Sequence, residues 1–157
     1  MIDHQAQIYQ YVGDEVILFW DIDAGLYQAS CLRAYFQFTD RLRDRADYYQ
    51  SEYGVIPIFK AGINIGSATV LEVGEIKREI SYLGDVLNTA ARIQGKCNDV
   101  GEDLLVSEAL LDRLTPIPDD LEVLPIGTVE LRGREQAVNI FSVHDLSPGH
   151  ADAGCER

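Results

Sequence analysis

Apolar and polar positions follow a strand-like order near the start of the chain and a helical spacing after it. Residues 8–20, IYQYVGDEVILFW, place β-branched and aromatic side chains on both sides of Gly13-Asp14. This pattern predicts two strands joined by a tight turn. From about residue 24 to residue 53, apolar side chains recur every three or four positions. That spacing predicts one amphipathic helix, ending at Gly54.

The second half of the chain mixes strand and helix patterns. Residues 58–73, IFKAGINIGSATVLEV, are typical of a strand, and Gly62 and Gly66 mark points where a bulge forms or another backbone comes close. The other predicted elements are a charged turn at 75–79, a helix at 85–96 with Asp85 as N-cap, a strand at 104–107, a helix at 108–114, and strands at 121–132 and 136–143 around Gly133. This order predicts an α+β fold with helices on one face of a mainly antiparallel sheet. We expect one domain over 1–146 and a flexible tail at 147–157.

Composition excludes several classes of protein. The chain has 157 residues, 46% of them hydrophobic, as in an ordinary globular domain. No apolar run is long enough to cross a membrane. With 26 acidic and 13 basic side chains, the net charge of −13 argues against general nucleic-acid binding, and any phosphate ligand would need a metal ion. Cys31, Cys97 and Cys155 lack metal-ligand spacing, so we expect free thiols and a cytoplasmic location.

Three groups of polar residues could carry chemistry. Asp14 and Glu15, at the tip of the predicted hairpin, could face a hard cation such as Mg²⁺, although a purely structural turn gives the same pattern. Asn88 and Arg92 are four residues apart, so they share a helix face that could clamp a sugar or phosphate oxygen. A solvated polar stripe continued by Lys96 is the alternative.

The third group consists of Arg132 and Arg134 around Gly133, which could hold a phosphate or could simply blunt an edge strand. No role is assigned to the three histidines at positions 4, 144 and 150, because none has a partner at ligand spacing. The sequence contains no phosphate-loop, dinucleotide-binding or nucleophile-elbow motif.

Five segments, in this order, strongly resemble the class III adenylate/guanylate cyclase catalytic domain: YQYVGDEV, KAGINIG, YLGDVLNTAAR, LLVSEALLDRL and GTVELRGREQAVNIFSV. The match runs from about Ile8 to Val143. It implies a ferredoxin-like cyclase fold and a homodimer, or a heterodimer with another cyclase domain, with composite sites. The implied reaction converts a nucleoside triphosphate to its 3′,5′-cyclic monophosphate and pyrophosphate, with two Mg²⁺ or Mn²⁺ ions.

The same resemblance implies roles for individual residues. Asp14 matches the second metal-binding aspartate of the family, Asn88 the asparagine that orients the ribose, and Arg92 the arginine that stabilises charge on the phosphate. Asn88 and Arg92 would come from the protomer opposite Asp14. Arg132 or Arg134 lies where the family places a lysine that binds the triphosphate, and spacing does not choose between them.

The positions that select the base depart from the family's usual residues. Gln10 stands where adenylate cyclases usually carry Lys and guanylate cyclases Glu, and Ser81 stands at the second position. Both side chains can donate or accept, so either base is possible from hydrogen bonding alone. Because the acceptor-only Glu that favours guanine is missing, we predict ATP rather than GTP, and hence cyclic AMP.

The family's first strand, with its first metal aspartate, and the helices after it have no counterpart before Ile8. We expect a truncated coding sequence rather than a degenerate copy, with a full-length parent that could be membrane-anchored. On this reading the chain alone is inactive or nearly so. The alternative is a non-catalytic, cyclase-like module that dimerises with an intact partner or binds nucleotide as a regulatory signal.

Overall fold

The structure is a computed structural model that describes residues 4–73, 79–130 and 137–147. The chain divides into two compact units. The first comprises residues 1–59, 114–121 and 145–157, and the second comprises 60–113 and 122–144. Among the described residues, none of the helices combines the length and the apolar composition that a membrane span requires.

The first unit opens with the predicted hairpin. Strands β1 (Gln7–Val12) and β2 (Glu15–Phe19) pair antiparallel, with a register shift between Ile8 and Gln10. Gly13 has a φ of +63°, a conformation that glycine adopts without steric cost, and this permits the tight turn. The predicted strand-turn-strand is confirmed.

The single helix predicted from residue 24 to residue 53 is wrong. The segment contains α1 (Ile22–Leu26), a 3₁₀ turn (Tyr27–Ala29), α2 (Ser30–Arg43) and α3 (Ala46–Tyr53). Gln28 and Ala29 have positive φ values, and Arg45, at φ −110°, separates α2 from α3. The apolar spacing continues across that break, which is why the pattern alone does not reveal it. Gly54, at φ +70°, does end α3 as predicted.

The second unit contains a four-stranded sheet in the order β3 (Ala61–Ile63), β6 (Leu104–Ser107), β8 (Ala137–Asp145), β7 (Leu121–Glu130). β3 and β6 run parallel and β6 and β8 antiparallel, so this sheet is mixed, and the predicted α+β class is confirmed. β7 lies at the edge of this order and contains Pro125, a residue that sheets tolerate on edge strands because it has no backbone N–H.

The continuous strand predicted at 58–73 is also wrong. It consists of β3 and a separate strand β4 (Thr69–Val73), which pairs antiparallel with β5 (Glu79–Leu83) in its own two-stranded sheet. The chain leaves β3 at Asn64 because residues 64–68 pack against the start of the next helix instead of pairing with a strand. The predicted charged turn falls largely on residues 74–78, outside the described residues.

Helix α4 (Asp85–Val100) lies against β3 and β6 of this sheet. Its buried face consists of Thr89, Ile93 and Cys97, one turn apart. The core around it contains Ile93, Cys97, Leu105, Val129 and Ile140. Asp85 is the first helical residue rather than the predicted N-cap, a position held by Gly84. At either position, the carboxylate of Asp85 stabilises the helix by interacting with the positive end of the helix dipole.

Other predictions are confirmed or lie outside the described residues. β6 is followed directly by α5 (Glu108–Arg113), as predicted. Cys31 and Cys97 are free and buried, whereas Cys155 lies outside the described ranges. The turn around Gly133 and the tail from residue 148 onward also lie outside them.

Candidate functional site

The hairpin turn presents Asp14 to solvent. Asp14 lies between β1 and β2, next to Gly13, and its side chain is exposed. Gln10 is also exposed and stands opposite Ile17 in the ladder. The two predicted site residues of the first unit therefore lie on one short, accessible hairpin.

The hairpin tip offers exposed carboxylates to the metal ions that the family resemblance implies. Among residues 4–73, 79–130 and 137–147, no three His, Cys, Asp or Glu side chains group closely enough to hold an ion by themselves. Mg²⁺, however, is commonly bound by one or two carboxylates together with substrate phosphates. Asp14 fits that second kind of site, as one accessible carboxylate for an ion that arrives with a nucleotide.

Helix α4 presents the second pair of predicted residues. Asn88 is exposed and Arg92 half-buried, one turn apart and adjacent to the buried face of the helix. Lys96, the next residue of this stripe, forms an ion pair with Asp99 at 2.9 Å. Asn88 and Arg92 can therefore offer amide and guanidinium donors to one ligand, while Lys96 has a partner within its own helix.

The other predicted residues are only partly described. Ser81 belongs to β5, where its backbone pairs opposite Leu71, four residues before α4 begins. Arg132 and Arg134 lie outside the described residues, so the choice between them stays open. Helix α4 places Asn88 and Arg92 one turn apart, as their spacing in the sequence predicts.

Several polar contacts were not predicted from the sequence. Arg33 donates two hydrogen bonds to Asp120, at 2.8 and 2.9 Å, across 87 positions of sequence. This contact raises the pKa of Arg33 and lowers that of Asp120. Asn64 donates to the carbonyl oxygen of Val86 at 3.2 Å. No local motif marks such long-range pairs, because each partner alone looks like an ordinary surface residue.

The two buried cysteines have no site for nucleophilic chemistry. Burial raises the pKa of Cys31 and of Cys97 to about 11 in each case. Both thiols are therefore protonated near neutral pH, and a protonated thiol is a poor nucleophile and metal ligand. Their place is in the cores of the two units.

Comparison with solved structures defines the class of fold. No family model matches the chain. The adenylyl cyclase CyaB of P. aeruginosa aligns with a TM-score of 0.74 and 18% identity over 95% of this chain and 76% of that one. The guanylyl cyclase Cya2 aligns with a TM-score of 0.73 and 21% identity over 95% of this chain and 75% of that one. The fold is that of the class III nucleotide cyclase domain.

Sequence comparison agrees with the fold. Adenylate cyclase 2 of Rhizobium meliloti (strain 1021) is 32% identical over 143 residues, which cover 91% of this chain and 39% of that protein. Adenylate cyclase 1 of the same organism is 30% identical over 148 residues, covering 89% of this chain and 21% of that protein. The chain thus spans well under half the length of these relatives. These relatives and the solved structures together support a nucleotide cyclase domain.

Proposed function

We propose that the chain is part of the catalytic domain of an adenylate cyclase, which forms cyclic AMP and pyrophosphate from ATP. The placement of Asn88 and Arg92 on one accessible face of α4 is the observation that carries this proposal. The names of the curated relatives, all adenylate cyclases, support ATP as the substrate.

The proposed reaction is an internal substitution at phosphorus. The 3′-hydroxyl oxygen of the ribose attacks the α-phosphorus and loses its proton to solvent water, and the bond from that phosphorus to the bridging oxygen breaks, which releases pyrophosphate. Arg92 stabilises the charge that develops on the α-phosphate oxygens, since a guanidinium can make two directed hydrogen bonds. Asn88 holds the ribose so that its 3′-oxygen faces the phosphorus.

Asp14 would hold Mg²⁺ or Mn²⁺ together with the nucleotide phosphates. When bound, such ions neutralise phosphate charge and stabilise the attacking and leaving oxygens. In a chain with a net charge of −13, this neutralisation also offsets the long-range repulsion of a triphosphate. Arg132 or Arg134 would bind the triphosphate, and Gln10 and Ser81 would contact the base.

The working form is proposed to be a dimer in which each site is composite. In that arrangement Asp14 and Gln10 of one protomer act with Asn88 and Arg92 of its partner. The dimer is a homodimer or pairs this chain with another cyclase domain. Residues 1–146 would together form the domain part, and 147–157 a tail that takes no part in the site.

A direct assay tests the proposal. The full-length protein and the 157-residue chain are incubated separately with ATP or GTP and either Mg²⁺ or Mn²⁺, and cyclic nucleotide and pyrophosphate are measured together. We expect equimolar cyclic AMP and pyrophosphate from the full-length protein, with ATP preferred over GTP. The Arg92→Ala variant, matched with Arg113→Ala in α5, should lose most of this activity while the control retains it.

The other outcomes separate the alternatives. Cyclic GMP as the main product would correct the substrate to GTP. Binding of ATP without turnover in the full-length protein would contradict the catalytic proposal. It would favour a regulatory module, which can then be tested by mixing it with a separate active cyclase subunit.

A further inference from the structure

The start of helix α4 is held by the short segment that follows β3. This segment, residues 64–67 (Asn64, Ile65, Gly66 and Ser67), is called here the cradle segment. The amide nitrogen Nδ2 of Asn64 donates a hydrogen bond of 3.2 Å to the carbonyl oxygen of Val86. Asn64 is half-buried, and the bond ties the first turn of α4 to the end of β3.

Two glycines show how closely the cradle segment meets the helix start. A Cβ added at Gly66 would lie 3.3 Å from the side chain of Val86. A Cβ added at Gly84 would lie 3.0 Å from the carbonyl oxygen of Ser67, and Gly84 also has a φ of +156°, which other residues rarely adopt. The Asn64 bond therefore lies beside two places where the cradle segment leaves little room for a side chain at residues 66 and 84.

The position of the bond in the helix gives it a functional consequence. Val86 lies two residues before Asn88 and six before Arg92. A helical carbonyl has a second lone pair, so the oxygen of Val86 can accept from Asn64 as well as from the backbone amide of Ala90. Rotation or fraying of this first turn would move Asn88 directly.

We propose that Asn64 is a positioning residue for the nucleotide-contacting face of α4, acting through its hydrogen bond to Val86. This inference rests on the proposed cyclase function. Asn64 fixes the rotation of the first turn, and Asn88 then holds the ribose in the geometry that attack requires. A shift of about 1 Å in such a group can slow a reaction roughly a hundredfold.

Two substitutions distinguish the effect of the hydrogen-bond donor of Asn64 from the effect of its side-chain volume. Asn64→Asp keeps the shape but replaces the donating amide with an acceptor that faces another acceptor, and Asn64→Ala removes the group. Asn139 is a matched control in the same unit, because its amide also donates a hydrogen bond, to Glu108 at the start of α5, at 2.8 Å. Asn139→Asp and Asn139→Ala are therefore measured in parallel.

The first measurement is steady-state cyclase kinetics of the full-length protein. For Asn64→Ala we expect kcat to fall at least tenfold with KM changed less than about threefold, the signature of an interaction expressed in the transition state. Asn64→Asp should be at least as impaired as Asn64→Ala, although it is the closer isostere. Unchanged kcat in both variants, or an Asp variant equal to the parent, would overturn the proposal.

The second measurement does not depend on activity. Hydrogen exchange of the Ala90 amide, whose acceptor is Val86, is followed in the parent and in all four variants. We expect exchange to accelerate at least threefold in the Asn64 variants and to stay unchanged in the Asn139 variants. An unchanged exchange rate at Ala90 would show that Asn64 does not fix the first turn of α4.

The two measurements distinguish the two proposals. If the full-length parent makes no cyclic nucleotide, the proposed function fails, and exchange at Ala90 still decides whether Asn64 fixes the first turn. If the parent is active and exchange accelerates while kcat stays the same, the cyclase function stands and the positioning role is wrong.

Discussion

Helix α4 of the second unit is anchored along its length to a core, whereas the β1–β2 hairpin of the first unit depends mainly on its own ladder. On α4, Thr89, Ile93 and Cys97 are buried against the sheet, and Asn64 and Gly62 meet the helix backbone. Within the described residues, β1 and β2 pair with no further strand, and β1 is exposed at five of its six positions. A two-stranded sheet alone is only marginally stable in water.

The difference bears on how far each half of the proposed site, α4 and the hairpin, is ordered before a ligand binds. The helix that carries Asn88 and Arg92 is held by packing within this chain. Asp14 is held by the turn at Gly13, on a hairpin whose first strand is largely exposed. We therefore expect the α4 half to be preorganised and the hairpin half to depend more on partner and ligand.

The largest expected effect is complementation between a variant of the hairpin half and a variant of the α4 half of the proposed site. In the full-length protein, Asp14→Ala and Arg92→Ala should each lower cyclase activity about a hundredfold or more. Arg92→Ala should act mainly on kcat, whereas Asp14→Ala should raise the metal concentration needed for half-maximal rate. Mixing the two variants should restore up to about a quarter of the activity, because half of randomly assorted dimers carry one intact site.

The control for this experiment is each variant mixed with itself at the same total concentration. Dimer formation is measured by analytical ultracentrifugation. If mixed dimers form and regain no activity, Asp14 and Arg92 do not complete each other's site, and the division of the site between protomers is wrong.

The second prediction tests the anchoring of α4. A Cβ at Gly62 would collide with backbone atoms of Ala90 and Gln94, including the Cα of Gln94 at 2.8 Å. Gly62→Ala should therefore lower the free energy of unfolding by about 1–3 kcal/mol, because backbone cannot rotate away as a side chain can. Urea unfolding followed by circular dichroism measures this.

Gly95→Ala is the matched control on the same helix. A Cβ there meets nothing within 4 Å, so the change should raise the free energy of unfolding by about 0.5–1 kcal/mol through helix propensity. Equal effects at the two glycines would show that the contact of β3 with α4 does not govern stability.

Some features of the two regions can be predicted from the sequence, and others cannot. The hairpin, α4 and the β6–α5 pair are predictable because each is defined by local spacing and turn residues. Gly62 is likewise predictable as a close-contact point. Asn88 and Arg92 share a face for the simple reason that helical geometry puts residues four apart together.

The errors share a physical cause, which is that tertiary contacts decide where elements stop. The break between α2 and α3 leaves the apolar spacing intact, and the break after β3 serves the contact of Asn64 with Val86, 22 residues away. The parallel pairing of β3 with β6 also depends on the whole topology. Arg33 and Asp120 could not have been paired from any local signal.

A third, smaller effect is expected at the hairpin turn. Gly13 has a φ of +63° and nothing within 4 Å of an added Cβ, so Gly13→Ala costs only backbone strain, about 1 kcal/mol. Because the hairpin depends on its own ladder, this cost should appear as faster hydrogen exchange of β1 and β2 amides rather than in α4. Gly13→Asn, which tolerates positive φ, should show a smaller change. Acceleration spread equally over both units would argue against independent stability of the two halves.

The smallest effect concerns the ion pair of the first unit, which ties α2 to the segment before β7. The two hydrogen bonds from Arg33 hold the pKa of Asp120 below its ordinary value, although both side chains are more than 30% exposed. A carboxyl with a depressed pKa in the folded state stabilises fully above its unfolded pKa of about 3.9 and loses that contribution as pH falls further. Asp120→Asn should therefore lower the free energy of unfolding by about 0.5–1 kcal/mol between pH 7 and pH 5, as expected for an exposed pair. The difference from the parent should shrink below about pH 4.

Asp40→Asn is the control, because it removes the partner of Arg43 within α2, and it should lower the free energy of unfolding by about 0.3 kcal/mol. Urea unfolding of the parent and both variants at pH 7, 5 and 3.5 measures this, and a pH-independent difference for Asp120→Asn would rule out the charge of Asp120 as its source.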